Sequence, residues 1–158
     1  MAWTESGLYV ATMVQLVTAA TVPKWTLNTN KFYLTGVADT PDYTQVAASA
    51  IYSVTNEVSG TNWAAGGITT ATLGAGATDI TTAAAISGKV MNYSASNVSV
   101  ATTTISTAAF GGFFYMDSLT PKAKLMGIWF GGSGYTTVAG TFAITWSGGL
   151  ICTITCAA

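Results

Sequence analysis

Charge is nearly absent from this chain. Its 158 residues include no histidine and no arginine, and charged residues make up 7%, against about 25% in ordinary soluble domains. The cations are Lys24, Lys31, Lys89, Lys122 and Lys124, and the anions are Glu5, Asp39, Asp42, Glu57, Asp79 and Asp117. Without histidine, Ser-His-Asp and Cys-His catalysis are excluded. Two cysteines and no histidine also cannot fill a zinc-finger ligand set. Glycosidic chemistry needs two acids brought together, and the one close pair, Asp39 and Asp42, flanks Pro41 in a turn where capping is the expected role. The sequence therefore implies no enzyme, no metal and no cofactor.

Other partners are excluded in the same way. Phosphate neutralisation needs clustered Lys or Arg, and only Lys122 and Lys124 stand close together, so nucleic acid is not expected. The glycine groups fit neither GxGxxG nor GxxxxGK[ST] and read as turns. Gly7 to Val22 carries no charge, yet it falls short of the roughly 20 apolar residues that span a bilayer. Gln15 and several threonines interrupt it, and Glu5 rather than a basic region precedes it, so neither a membrane span nor a secretory signal is expected. Apolar residues at spacings of three and four predict a packed helix there, stopped by Pro23. Two N-x-S sequons, at Asn92 and Asn97, matter only on a secretory route.

What the chain does have is apolar and β-forming. Half of it is hydrophobic, mean hydropathy is +0.47, and Thr and Ala together fill about a third. Branched Thr favours pleated, half-exposed surfaces. Short strands are expected at 31–37, 68–73, 80–84, 89–93, 98–105, 110–116, 122–130, 141–146 and 150–156, separated by glycine turns. That pattern predicts one mainly β domain over 1–158, an antiparallel sandwich or barrel-like fold, with residues 1–23 as an N-terminal arm and short helix packed on it. The last two strands, Thr141–Trp146 and Leu150–Cys156, both alternate and flank Ser147-Gly148-Gly149, which predicts a hairpin.

Cys152 and Cys156 share the apolar face of the final strand. Residues four apart on a strand lie about 13 Å apart, beyond the roughly 7 Å that a disulfide tolerates. Buried free thiols are one reading and an intersubunit disulfide the other. Phe110–Met116 and Leu125–Phe130 are apolar on both faces. They read either as central strands covered on each side or as strands with one face against a neighbouring subunit.

The segment Asn56-Glu-Val-Ser-Gly60-Thr-Asn-Trp63-Ala-Ala-Gly66-Gly67 resembles a segment of small virion proteins from tailed bacteriophages. There, Asn-Glu-Val-x-Gly-x-x-aromatic-x-x-Gly-Gly follows a short N-terminal helix and strand. Lys124-Leu-Met-Gly-Ile-Trp-Phe-Gly-Gly and Gly140-Thr-Phe-Ala-Ile-Thr-Trp146 are similar to the closing strands of that group. The resemblance implies a non-enzymatic head decoration, head fibre or minor tail protein, located in a virion assembled in the bacterial cytoplasm. It implies major capsid protein or other virion proteins as partners, and a homo-oligomer. A tail or fibre protein touching the host surface is the alternative, and a non-viral carbohydrate-binding module a third.

The residues expected at the partner interface are Trp3, Leu8 and Tyr9 in the N-terminal segment, Trp63 in an exposed aromatic loop, and Phe113, Phe114 and Tyr115. Core packing is the competing role for each. Trp3 precedes every predicted element, which predicts an arm reaching onto a partner. Deleting residues 1–5 is expected to weaken assembly without unfolding the domain; unchanged occupancy of the assembly would refute the arm.

Overall fold

The computed structural model describes residues 5–18, 30–44, 50–71 and 80–155. Strand β1 (Gly7–Leu8) leads into helix α1 (Val10–Thr18), followed by β2 (Asn30–Thr35), β3 (Glu57–Val58) and β4 (Ile68–Ala71). The second half holds β5 (Ile80–Ser87), β6 (Val90–Ala95), β7 (Val98–Ala109), β8 (Gly111–Met116), β9 (Lys124–Trp129), β10 (Tyr135–Ile144) and β11 (Leu150–Thr155). The fold is mainly β with antiparallel sheets that form no closed barrel. The pair β4–β5 runs parallel.

Nine strands make one large sheet in the order β1-β9-β8-β2-β4-β5-β6-β11, with β3 also beside β2; β7 and β10 form a separate ribbon. Strands β8 and β2 lie in the middle and have a core on each face. One core joins Phe32, Leu34, Phe114 and Met116 of the sheet to Val98, Val100, Ile105, Phe142 and Ile144 of the ribbon. The other gathers Tyr33, Phe113 and Tyr115 beneath Tyr9 and Ala11, with Tyr43 and Tyr52 packed against them. Period-two alternation sorts the side chains between the two cores. A register shift between Phe114 and Tyr115 breaks the alternation in β9. Leu125 and Met126 then both join the ribbon-side core. The central strands are thus covered on both sides by the chain itself, and every residue of β8 is buried.

The predicted helix is shorter than expected at its start. Gly7 and Leu8 pair with Gly127 and Met126 as a strand. The reason is steric: Gly7 faces Gly127, and the Tyr43 ring fills the space above them. A Cβ at Gly7 would lie 2.9 Å from the Tyr43 ring, and one at Gly127 would lie 2.6 Å from its hydroxyl. The expected stop at Pro23 lies outside the described residues.

The predicted C-terminal hairpin is not formed. β10 pairs with β7, while β11 pairs with β6. Both strands have the expected period, but the chain crosses from ribbon to sheet between them, through a 3-10 turn at Ser147–Gly149. It crosses beside the β6–β7 connection. Trp146 ties the two crossings together, its N–H donating to Asn97 Oδ1 at 3.0 Å and its indole N–H to the Ser96 carbonyl at 2.8 Å. Ile144 lies opposite Val98 and Leu150 opposite Ser94, so β6–β7 and β10–β11 are one long antiparallel ribbon folded over at this corner. Sheet-switching at a bend is how packed β-layers form corners.

Two glycines separate backbone need from crowding. Gly67 has φ +77°, and a Cβ there would lie 2.0 Å from the Phe32 carbonyl oxygen; Gly148 has φ +62° with open space around it. Gly148→Ala is expected to cost about 1 kcal/mol of left-handed strain. Gly67→Ala adds overpacking and is expected to cost about 3 kcal/mol or more. Urea unfolding of the two variants checks the difference; equal losses would contradict the crowding at Gly67.

Candidate functional site

The expected interface residues divide by burial. Trp3 and Cys156 lie outside the described residues. Leu8 is half-buried in β1 and packs against the ribbon-side core. Tyr9, Trp63, Phe113 and Phe114 are fully buried, and Tyr115 is 1% exposed. These five side chains present no surface of their own, which corrects the expectation of an exposed aromatic loop at Trp63. Each inward aromatic is held by others: Tyr9 stands edge-on to Tyr43 at 5.1 Å, and Phe114 lies 4.6 Å from Phe32. Tyr115 stacks flat on Tyr52 at 4.4 Å. Cys152 is a free, half-buried thiol whose pKa burial pushes up, the opposite of an activated nucleophile.

The Asn56–Gly67 segment has a structural task at nearly every position. Asn56 takes φ 64°. The Glu57 carboxylate accepts from the Gly66 N–H and from the Tyr52 hydroxyl, the latter at 2.9 Å. Burial first, and then this bond to Glu57, push the Tyr52 phenol up to about 12. Gly60 passes so near β7 that a Cβ would sit 1.9 Å from the Thr104 carbonyl oxygen. Trp63, turned back by the Gly60 N–H donating to its carbonyl at 2.8 Å, packs edge-on against Phe142 at 5.4 Å. The segment fastens the ribbon to the sheet.

The few charges are mostly spent inside the chain. Lys31 and Lys122 both pair with Asp117, the former at 2.9 Å. Burial raises the Asp117 pKa, but the bonds from Lys122 and Lys31 outweigh it and hold the carboxyl below its usual range. Asp42 accepts from the Thr44 N–H at 2.9 Å as a turn residue. Asp39 points inward instead. It accepts from the Thr35 hydroxyl at 3.0 Å and faces the Lys124 Nζ at 4.0 Å. Lys124 is 4% exposed, with its ammonium 4.2 Å from the centre of the Phe113 ring. Desolvation lowers its pKa, and Asp39 offsets part of that.

An open groove of about 660 Å³ lies beside β10. It is lined by Ile128, Trp129 and Phe130 at the end of β9, by Tyr135–Thr137 at the start of β10, and by the consecutive run Thr141–Trp146. Trp129 is positioned by its N–H, which donates to the Ser6 hydroxyl at 2.9 Å. No charged residue lines the groove, and sequence reading did not find it because it depends on β10 leaving the predicted hairpin. No protein-family model, curated protein or solved structure matches the chain. Among the described residues there is no group of three His, Cys, Asp or Glu that could hold a metal ion, and no helix long and apolar enough to cross a membrane.

Lys124 gives a pH signature. Because its folded pKa is lowered, the unfolded chain binds that proton more readily, and stability rises with pH as the amine deprotonates. Asp39→Asn strips the counter-charge and is expected to cost about 3 kcal/mol at neutral pH. That deficit shrinks as pH rises through the folded pKa, where the amine is neutral. Urea unfolding of variant and wild type at neutral and alkaline pH checks this; a pH-independent deficit would mean that Asp39 acts only through Thr35.

Proposed function

We propose that the chain is a non-enzymatic structural protein of a tailed bacteriophage, a decoration or cement subunit on the outside of the head lattice. The observation that carries this reading is the disposal of charge. Six of the described charged residues, Lys31, Lys122, Lys124, Asp39, Asp117 and Glu57, are engaged with partners inside the chain. The exposed residues of the ribbon are uncharged: Ser99, Ala101, Thr102, Ser106 and Thr107 on β7, and Tyr135, Thr136, Val138, Ala139, Thr141 and Ala143 on β10. A free-standing monomer keeps itself dispersed with surface charge. A surface this neutral suits a subunit whose faces are covered by neighbours.

The resemblance of the Asn56–Gly67 segment to small virion proteins supports the same reading. The partners are then major capsid protein or other virion proteins, with the chain itself as a homo-oligomer. Repetition on a closed lattice multiplies a modest affinity per contact. The virion is the location that follows, and nucleic acid has no part in it.

One observation favours a tail or fibre protein as the second reading. Tyr135 is 50% exposed and stands 6.2 Å from Phe130 at the groove, an arrangement on which a sugar ring can stack. Gold-labelled antibody against the chain, imaged on intact virions, separates the two. Label over the head is expected. Label confined to the tail would replace decoration with host contact, to be pursued on a glycan array, and no label on particles would overturn both.

A further inference from the structure

We infer that the groove between β9 and β10 is a binding site for neutral oligosaccharides, with the Tyr135 ring as its stacking platform. The inference rests on the host-contact reading above and deepens it by naming the ligand class and the residues that hold it.

The groove follows from the way the two strands part. Gly131, Gly132 and Gly134 take φ of +76°, +70° and +84°, which turns the chain sharply after Phe130. β9 stays with β8 in the large sheet, whereas β10 leaves to pair with β7 in the ribbon. Their near ends diverge from this one turn and leave an open cleft of about 660 Å³ between sheet and ribbon. That size is ordinary for a small-molecule site. Phe130 is fixed at the turn. Its N–H donates to the Phe110 carbonyl at 3.1 Å, and its ring lies 6.5 Å from Phe32 in the core. Tyr135 meets the Phe130 ring at 6.2 Å and 71°. An edge-to-face contact takes up at most one face of Tyr135, so the other is open, in keeping with its 50% exposure.

The lining selects a sugar. A pyranose offers a C–H face to an aromatic ring and hydroxyls around its rim, so its site needs an open ring beside unspent polar groups. Tyr135 is the ring. Its hydroxyl and those of Thr136, Thr141 and Thr145 line the groove, and among the described residues none of the four bonds to the chain. Hydroxyls elsewhere, on Thr35, Tyr52 and Tyr115, are committed to internal bonds. Thr137 adds a positive demand, because its hydroxyl oxygen is buried with no partner. A polar group buried in this way is destabilising until it is met. A ligand hydroxyl meets it and an apolar ligand does not. Charge then decides between sugars. The lining holds no cation, so a sialic or uronic carboxylate would lose its water there without a counter-charge. Neutral sugars carry no such cost.

The test is isothermal titration of the full chain with neutral glucose, galactose and N-acetylglucosamine oligosaccharides, beside sialylated and uronic-acid counterparts. At least one neutral series is expected to bind, and more tightly than its acidic counterpart. Tyr135→Ala should weaken that binding about tenfold or more, whereas Tyr135→Phe keeps the ring and should cost only about threefold. Val138→Ala, on the same strand but outside the groove lining, should leave binding unchanged. Urea unfolding of each variant confirms that the fold is kept. Failure of every neutral series to bind, equal losses in the two Tyr135 variants, no loss in either, or a preference for acidic glycans would overturn the groove assignment. Location is read separately from the gold label. Label on the tail without saccharide binding overturns the groove alone, and saccharide binding with label on the head overturns host contact alone.

Discussion

Trp63 stands where the ribbon meets the large sheet, and the layered architecture depends on holding it there. The indole is reached from the sheet side through β3 and from the ribbon side through Phe142, and it has no exposed surface. Fully burying a large apolar side chain contributes roughly 1.5–3 kcal/mol, but only if the backbone delivers it to the right depth. That delivery is steric. Gly60 lies against the Thr104 carbonyl and Gly67 against the Phe32 carbonyl, at separations that no side chain larger than hydrogen permits. Glu57 then closes the loop by accepting from Gly66. The turn residues that mark this segment in the sequence are the ones that let a tryptophan pass between two sheets.

A second constraint acts at the far end of the ribbon. Folding a long antiparallel pair over itself gives two layers from one continuous pairing, but the bend must sit at the same place in both strands. Trp146 enforces this by bonding to Ser96 and Asn97 across the bend. Its ring meanwhile stands edge-on to Phe32 at 5.9 Å, so the corner is anchored in the same core that Trp63 enters. The two tryptophans pin the ribbon to the sheet at separate points.

Most strand positions were legible in the sequence because alternation is local, although β10 begins at Tyr135 rather than at the expected Thr141 and β3 was not expected. Phe142, Ile144 and Trp146 alternate with Thr141, Ala143 and Thr145 whatever strand lies beside them. Partner choice is not local. Nothing in Ser147-Gly148-Gly149 separates a hairpin turn from a layer crossing, since both need glycine; the difference lies with Asn97, fifty residues earlier. The aromatic residues were misplaced for a related reason. Trp63 sits among turn residues that usually mark a surface loop, and its burial depends on β7 and β10 closing over it. The apolar runs of β8 and β9 were read with both outcomes open; the second core under α1 covers β8 from within, whereas Ile128, Trp129 and Phe130 at the end of the β9 run stay half-buried at the groove. The groove had no sequence signal at all, because it exists only when β10 has left β11.

Low charge has consequences beyond solubility. Paired charges add local specificity: the buried Lys124 is held between Phe113 and Asp39, and Asp117 gathers two lysines at the end of β8. The ribbon strands β7 and β10 contain no charged residue, so they lack the usual means by which β proteins protect a free edge. A sandwich-like chain with a bare, regular edge stretch at Phe142–Ile144 carries an aggregation hazard unless something occupies that stretch.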